Sequence, residues 1–175
     1  DQLPYWLLTL AVMVCASAAA AATPFPQVIS ADNAKQCNTA LRTDRRSTSI
    51  GGLTFPLNVF SWNVHKVQQP AVLDEFAELA NTAHLMFVQE AVPSRQLPSL
   101  IDEALFPAFV PGYVQNKIPT GVLTLARAPH LVHCHLLALE PWLRTPKATS
   151  VTLYPLTDRQ EMLLAINLHA VNFTF

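Results

Sequence analysis

The stretch "HLMFVQE", His84 to Glu90, decides how the rest of this sequence is read. From Leu85 to Val88 it is apolar without alternation, and it then stops on Gln89 and Glu90. A short continuous apolar run bounded in this way reads as a strand buried on both faces, because a half-exposed strand alternates with a period of two. The polar end places an amide and a carboxylate where that strand leaves the core.

Upstream, "LTFPLNVFSW" (Leu53 to Trp62) alternates around Leu57, Val59 and Ser61 and reads as a second strand, with Asn63 at its end. Between the two strands, Pro70 suits a first helical turn. "AVLDEFAELANTA" follows, with Leu73, Phe76, Leu79 and Ala80 on one stripe and Asp74, Glu75 and Glu78 elsewhere, the pattern of an amphipathic helix. A second helix is expected over Gln96 to Leu105, stopped by Pro107. Strand candidates follow at Tyr113 to Gln115, Val122 to Ala126, Leu131 to Ala138, Thr149 to Tyr154 and Met162 to His169. Helices first and then a run of strands predict an α+β layered or sandwich domain.

The chain has 175 residues, of which 51% are hydrophobic and 13% charged, enough for one domain with a real core and too apolar for intrinsic disorder. A net charge of -1 leaves no electrostatic footprint for broad nucleic-acid binding. Fourteen prolines against four glycines predict stiff turns and few backbone positions at positive φ.

Tyr5 to Ala22 carries no charge, and residues 1–22 read as a signal peptide or a membrane anchor. The expected location is therefore exported (periplasmic or extracellular) or membrane-anchored. No basic residue precedes the run and the chain starts at Asp1, as a fragment lacking its true start would. Residues 23–52, with Pro24, Pro26, "RTDRR" and Gly51-Gly52, read as a linker to a folded part beginning at Leu53. If the apolar run is removed and the rest exported, Cys37 and Cys134 are the only possible disulfide pair.

Asn63 and Glu90 end apolar strands, where the backbone is fixed and a side chain reaches an open crevice. A carboxylate there must be paired, hydrated or metal-bound, and Mg²⁺ prefers oxygen ligands. The bland alternatives are a solvated strand-end Glu and an Asn capping a turn. His169 follows "LLAIN", with Asn172 three residues later. An imidazole there could hydrogen-bond a phosphate oxygen or move a proton, or be a satisfied core histidine. In "HLVHCH" (His130 to His135), His133 and His135 share one strand face and Cys134 the other, so adjacent ligands do not converge on zinc. HExxH, GxSxG and glycine-rich phosphate-loop motifs are absent from the sequence.

In order along the chain, "FSWNVHK", "LMFVQEAV", "TGVLTLAR", "PKATSVTLYP" and "LLAINLHAVNF" resemble the endonuclease/exonuclease/phosphatase superfamily, which has the fold of DNase I. The wording is nearest to its uncharacterised bacterial YafD-type branch, from Leu53 to the last residue. The resemblance implies a four-layered α/β sandwich, two sheets face to face with helices outside, present as its N-terminal half because the later GDxN and SDH motifs are missing. It also implies Glu90 as metal ligand, Asn63 beside metal and phosphate, His169 on the scissile phosphate, and Asn172 and Lys147 as phosphate contacts. The function so implied is a Mg²⁺-dependent phosphoesterase of nuclease or phosphodiesterase type, with Mn²⁺ as a substitute cation. Its partner would be a phosphate ester, nucleic acid or phospholipid in kind, with membrane association through the N-terminal segment and no protein partner. The competing expectation is a non-catalytic exported or membrane-tethered binding module that retains the fold.

Overall fold

Leu85 to Ala91 forms the strand expected of it, and the remaining elements are arranged around it. The structure, a computed structural model, describes residues 28–43, 51–67, 71–92, 104–140 and 144–169. Strand β3 (Leu85–Ala91) pairs in parallel with β2 (Val59–Asn63) and antiparallel with β5 (Ile118–Ala126), and β5 pairs with β4 (Phe106–Gln115). This first sheet has the order β2-β3-β5-β4. Helix α2 (Ala71–Thr82) lies on its outer face, where Phe76 and Ala80 bury against Met86, Val88, Leu123 and Leu125. Two of the four predicted members of the helix stripe, Phe76 and Ala80, are thus core residues, while Leu73 and Leu79 are partly buried, and burial of a Phe side chain contributes about 1.5–3 kcal/mol.

The second sheet has the order β1-β6-β7-β8, built from β1 (Ile29–Ala31), β6 (Val132–Leu139), β7 (Pro146–Pro155) and β8 (Met162–Leu168). Its inner face meets the first sheet through Tyr154 and Ala165, packed with Leu53, Leu85, Ala126 and Ala128. Its outer face buries Val132, Cys134, Val151 and Leu153 under helix α1 (Ala34–Arg42), whose Cys37 and Ala40 face inward. A disulfide joins Cys37 to Cys134, the pair left open by the sequence.

The stretch 23–52, expected to be a linker, is therefore folded across β1 and α1. Its composition hides this because α1 buries only Cys37 and Ala40. What holds it is long-range: parallel pairing of Ile29–Ala31 with Val132–Cys134, and the cross-link over 97 residues. A local signal was present in "DNAKQ": Asn33 caps the helix by accepting from the Gln36 amide at 2.9 Å, while Gln36 Oε1 accepts from the Asp32 amide at 3.2 Å.

The expected four-layered α/β sandwich is not what forms. Among the described residues the chain is mostly β, eight strands in two mixed four-stranded sheets with two α-helices. The reason is coverage. A helix is about 10 Å across and strands lie about 4.8 Å apart, so one helix covers about two strands and cannot make a layer over four. On edge strand β8, Leu164, Ile166 and Leu168 accordingly remain 47%, 52% and 50% exposed. The helix expected over Gln96 to Leu105 falls almost wholly outside the described residues. Pro107, read as its stop, instead sits inside β4, an edge strand where a missing amide donor is tolerated.

No helix among the described residues is long and apolar enough to cross a membrane. Residues 1–22, expected to be a signal peptide or anchor, lie outside the described residues. The expectation of few positive-φ positions also fails. His65, Lys66, Glu90, Asn116, Lys117, Arg144 and Asp158 all adopt positive φ, and no described glycine does.

Candidate functional site

The end of β3 is irregular. Gln89 pairs with Val122 and Ala91 with Gly121, so Glu90 is the extra residue of a bulge, at φ 53°. A bulge breaks the pleat and re-aims a side chain, and holding a non-glycine residue in this backbone region costs on the order of 1–3 kcal/mol. Glu90 is thereby turned to the strand end, with its side chain 18% exposed.

Two side chains meet it there. Asn63, at the end of the neighbouring parallel strand β2, donates from Nδ2 to Glu90 Oε1 at 3.1 Å. Its Oδ1 accepts from the His65 amide at 3.0 Å, so both ends of the Asn63 amide are engaged and its orientation is set. From the other sheet, His169 brings Nε2 to 3.5 Å from the same Glu90 oxygen. The His169 amide donates to Ala148 O at 3.3 Å, which ties the residue after β8 to β7. Burial holds the His169 imidazole below its usual range; the nearby Lys147 ammonium lowers it further, while Glu90 and Glu140 pull the other way.

Behind this cluster the two sheets are clamped by an amide pair. Gln89 Nε2 donates to Asn167 Oδ1 at 2.9 Å, and Asn167 Nδ2 donates to Leu123 O at 3.0 Å and Thr124 Oγ1 at 3.3 Å. Asn167 is 1% exposed. Gln89 immediately precedes Glu90, and Asn167 stands two positions before His169, so the clamp sets the separation of the two groups. The sequence reading marked Gln89 only as a strand-end amide and gave Asn167 no role. The available signal was an Asn inside the apolar run "LLAINL", which must find partners if buried.

Asn63, Glu90 and His169 thus converge, although they come from different strands and different sheets. Lys147 is half-buried, acts on His169 through its charge, and its side chain makes no hydrogen bond or ion pair among the described residues. Asn172 lies outside the described residues. In the "HLVHCH" segment, strand alternation sends Cys134 outward into the disulfide and turns His133 and His135 inward, with His133 on Ser150. Among the described residues no group of three or more His, Cys, Asp or Glu is arranged to hold a metal ion.

No protein-family profile matches the chain, and no solved structure matches it. Curated proteins similar to it are UPF0294 proteins. That of Photorhabdus laumondii is 36% identical over 126 residues, covering 70% of this chain and 47% of the relative. Those of Erwinia tasmaniensis and Klebsiella pneumoniae are 39% and 37% identical over 119 residues, covering 67% of this chain and 44% of each relative. The chain spans about half the length of the curated relatives it matches. The resemblance to the endonuclease/exonuclease/phosphatase superfamily and its YafD-type branch is therefore withdrawn: neither comparison that would carry it returns a match. Its five markers are short strand-forming stretches with a few polar residues, a pattern that many strands leaving a core produce. The likeness that stands is to the UPF0294 proteins.

Proposed function

We propose that the Asn63–Glu90–His169 cluster hydrolyses phosphate esters with the help of a divalent cation, Mg²⁺ or Mn²⁺. The observation that carries this reading is the state of the Glu90 carboxylate. Oε1 takes both Asn63 Nδ2 and His169 Nε2, and Oε2 has no partner among the described residues. A partly exposed strand-end carboxylate with one oxygen free of partners among the described residues leaves that oxygen open to a cation. The donor set fits a hard ion that keeps most of its water and needs one or two carboxylate oxygens. It does not fit zinc, which takes three or four nitrogen and sulfur ligands.

The cation would supply positive charge for the phosphate oxygens. Every other part of the chemistry belongs to the chain. Asn63, gripped at both amide ends, orients the Glu90 carboxylate. His169, neutral near pH 7, can donate a hydrogen bond to a phosphate oxygen or accept a proton from an attacking water. Lys147 adds positive potential on the same side, where charge grows in the transition state. The Cys37–Cys134 disulfide supports an exported location, since such bonds persist in oxidising compartments.

A non-catalytic binding module is the competing reading, favoured by the presence of a single carboxylate in the cluster. The discriminating experiment uses the full-length protein, with bis(p-nitrophenyl) phosphate as substrate and Mn²⁺ binding followed by electron paramagnetic resonance. Hydrolysis that needs the cation, reduced at least about 100-fold by Glu90→Gln together with loss of Mn²⁺ binding, supports the proposal. Retention of hydrolysis and binding in Glu90→Gln overturns it. Wild-type protein that neither binds Mn²⁺ nor hydrolyses the ester leaves the module reading standing.

A further inference from the structure

We propose that Asp32, His135, His133 and Ser150 form a proton relay whose donor directions reverse together when His135 gains a proton, carrying surface pH to a hydroxyl buried between the sheets. The proposal is independent of the hydrolytic reading. The chain of contacts is continuous: Asp32 Oδ1 to His135 Nδ1 at 3.4 Å, His135 Nε2 to His133 Nδ1 at 3.0 Å, and His133 Nε2 to Ser150 Oγ at 3.1 Å. It starts at a carboxylate 79% exposed and ends at a residue 0% exposed.

These residue types suggest a nucleophilic serine activated through histidine, but Ser150 is sealed from solvent and no substrate can reach it. What the linkage can do follows from the imidazoles. A neutral ring donates from one nitrogen and accepts at the other. With His135 neutral, its Nδ1–H faces Asp32, its Nε2 accepts from His133 Nδ1–H, and His133 Nε2 accepts from the Ser150 hydroxyl. With His135 protonated, its Nε2–H donates to His133 Nδ1. His133 must then carry its own proton on Nε2 and donate to Ser150 Oγ. Every heavy-atom contact survives both states: His135 gains one proton from solvent, His133 gives up its Nδ1 proton and takes one at Nε2 by exchange with water when the pair opens transiently, and the Ser150 hydroxyl turns from donor to acceptor. Ser150 lies opposite Asn167 in the β7–β8 pairing, beside the clamp that joins the sheets.

The relay requires His133 to remain neutral throughout, and its surroundings enforce that. Burial, and then the charges of His135 and His130, push the His133 imidazole down to about 3. The titratable groups facing the pair are Asp32 from the β1–α1 turn and His130 ahead of β6; Tyr154 from β7 packs on His130, raised to about 12 and so uncharged. From β4, Val110 and Pro111 share with Asp32 and His135 a cavity of about 460 Å³ and bring no charge.

The test is a pH titration of the intact chain carrying ¹⁵N-labelled histidine, with long-range ¹H–¹⁵N spectra reporting the tautomer of each ring. His133 should stay neutral from pH 9 to 5 and change from the Nδ1–H to the Nε2–H form with the midpoint of His135. A single His133 tautomer across the range, or protonation of His133 itself, overturns the relay.

Discussion

Acid should unfold this protein earlier than its carboxylates alone would require, and His133 supplies the reason. The residue is 7% exposed, and its imidazole is held near 3 in the fold against 6.5 in an open chain. The unfolded chain therefore takes a proton on falling through pH 6.5, and the folded chain refuses it until about pH 3. Stability from this group is complete above 6.5 and is lost progressively as the pH falls between those values. At pH 5 the linkage amounts to about 2 kcal/mol, and below pH 3 it levels off on the order of 5 kcal/mol. For a chain of this size, 2 kcal/mol lowers Tm by roughly 4–8 °C. His130 and His169, both also depressed chiefly by burial, add in the same direction. Thermal unfolding followed by circular dichroism at pH 7.5 and pH 5, at constant ionic strength, measures the drop. His133→Gln should melt lower at both pH values yet lose most of the difference between them. An equal drop in the variant and the parent would refute the assignment to His133.

The remaining expectations concern the long-range ties. Reducing the Cys37–Cys134 bond, or replacing both residues by Ala, opens a loop of 97 residues and should cost roughly 2–5 kcal/mol; a melting curve indifferent to reductant contradicts this. Asn167→Leu removes the shorter partner of the Gln89 amide and the side-chain donor to Leu123 O and Thr124 Oγ1, and should cost roughly 1–3 kcal/mol in urea titration, whereas a neutral result would mean that the clamp adds nothing. Gly121→Ala would drive a methyl group into the Val110 carbonyl of the neighbouring strand, so a loss of roughly 1–3 kcal/mol is expected, and an unchanged midpoint would argue against the β4–β5 register.

The parts of the fold that could be read from residues are those whose evidence is local. Helix α2 follows from Leu73, Phe76, Leu79 and Ala80 recurring every three or four positions, and β3 from an unbroken apolar run. Strands β5 to β8 were found for the same reason. Strand β4 was expected only over Tyr113 to Gln115 and in fact begins at Phe106, because Pro107 and Pro111 read as breakers until the strand is known to lie on an edge. The β1–α1 segment was missed because its stability comes from partners about a hundred residues away rather than from its own composition. At the candidate site, Asn63, Glu90 and His169 could each be picked out as a polar group ending an apolar strand. The bulge that turns Glu90 and the Gln89–Asn167 clamp could not, since each depends on which strand lies alongside.

By itself, then, the amino-acid order determined where strands and α2 lie, which residues face the core, and which polar groups stand at strand ends. All of these are set by periodicities of two or 3.6 residues along the chain. Only the tertiary structure decided that the helices do not form layers, that Cys37 meets Cys134, and that an amide and a carboxylate from one sheet meet an imidazole from the other. Those outcomes depend on strand order and sheet-on-sheet packing. These are set by the summed burial of residues far apart in the chain, and no short stretch of sequence encodes that sum.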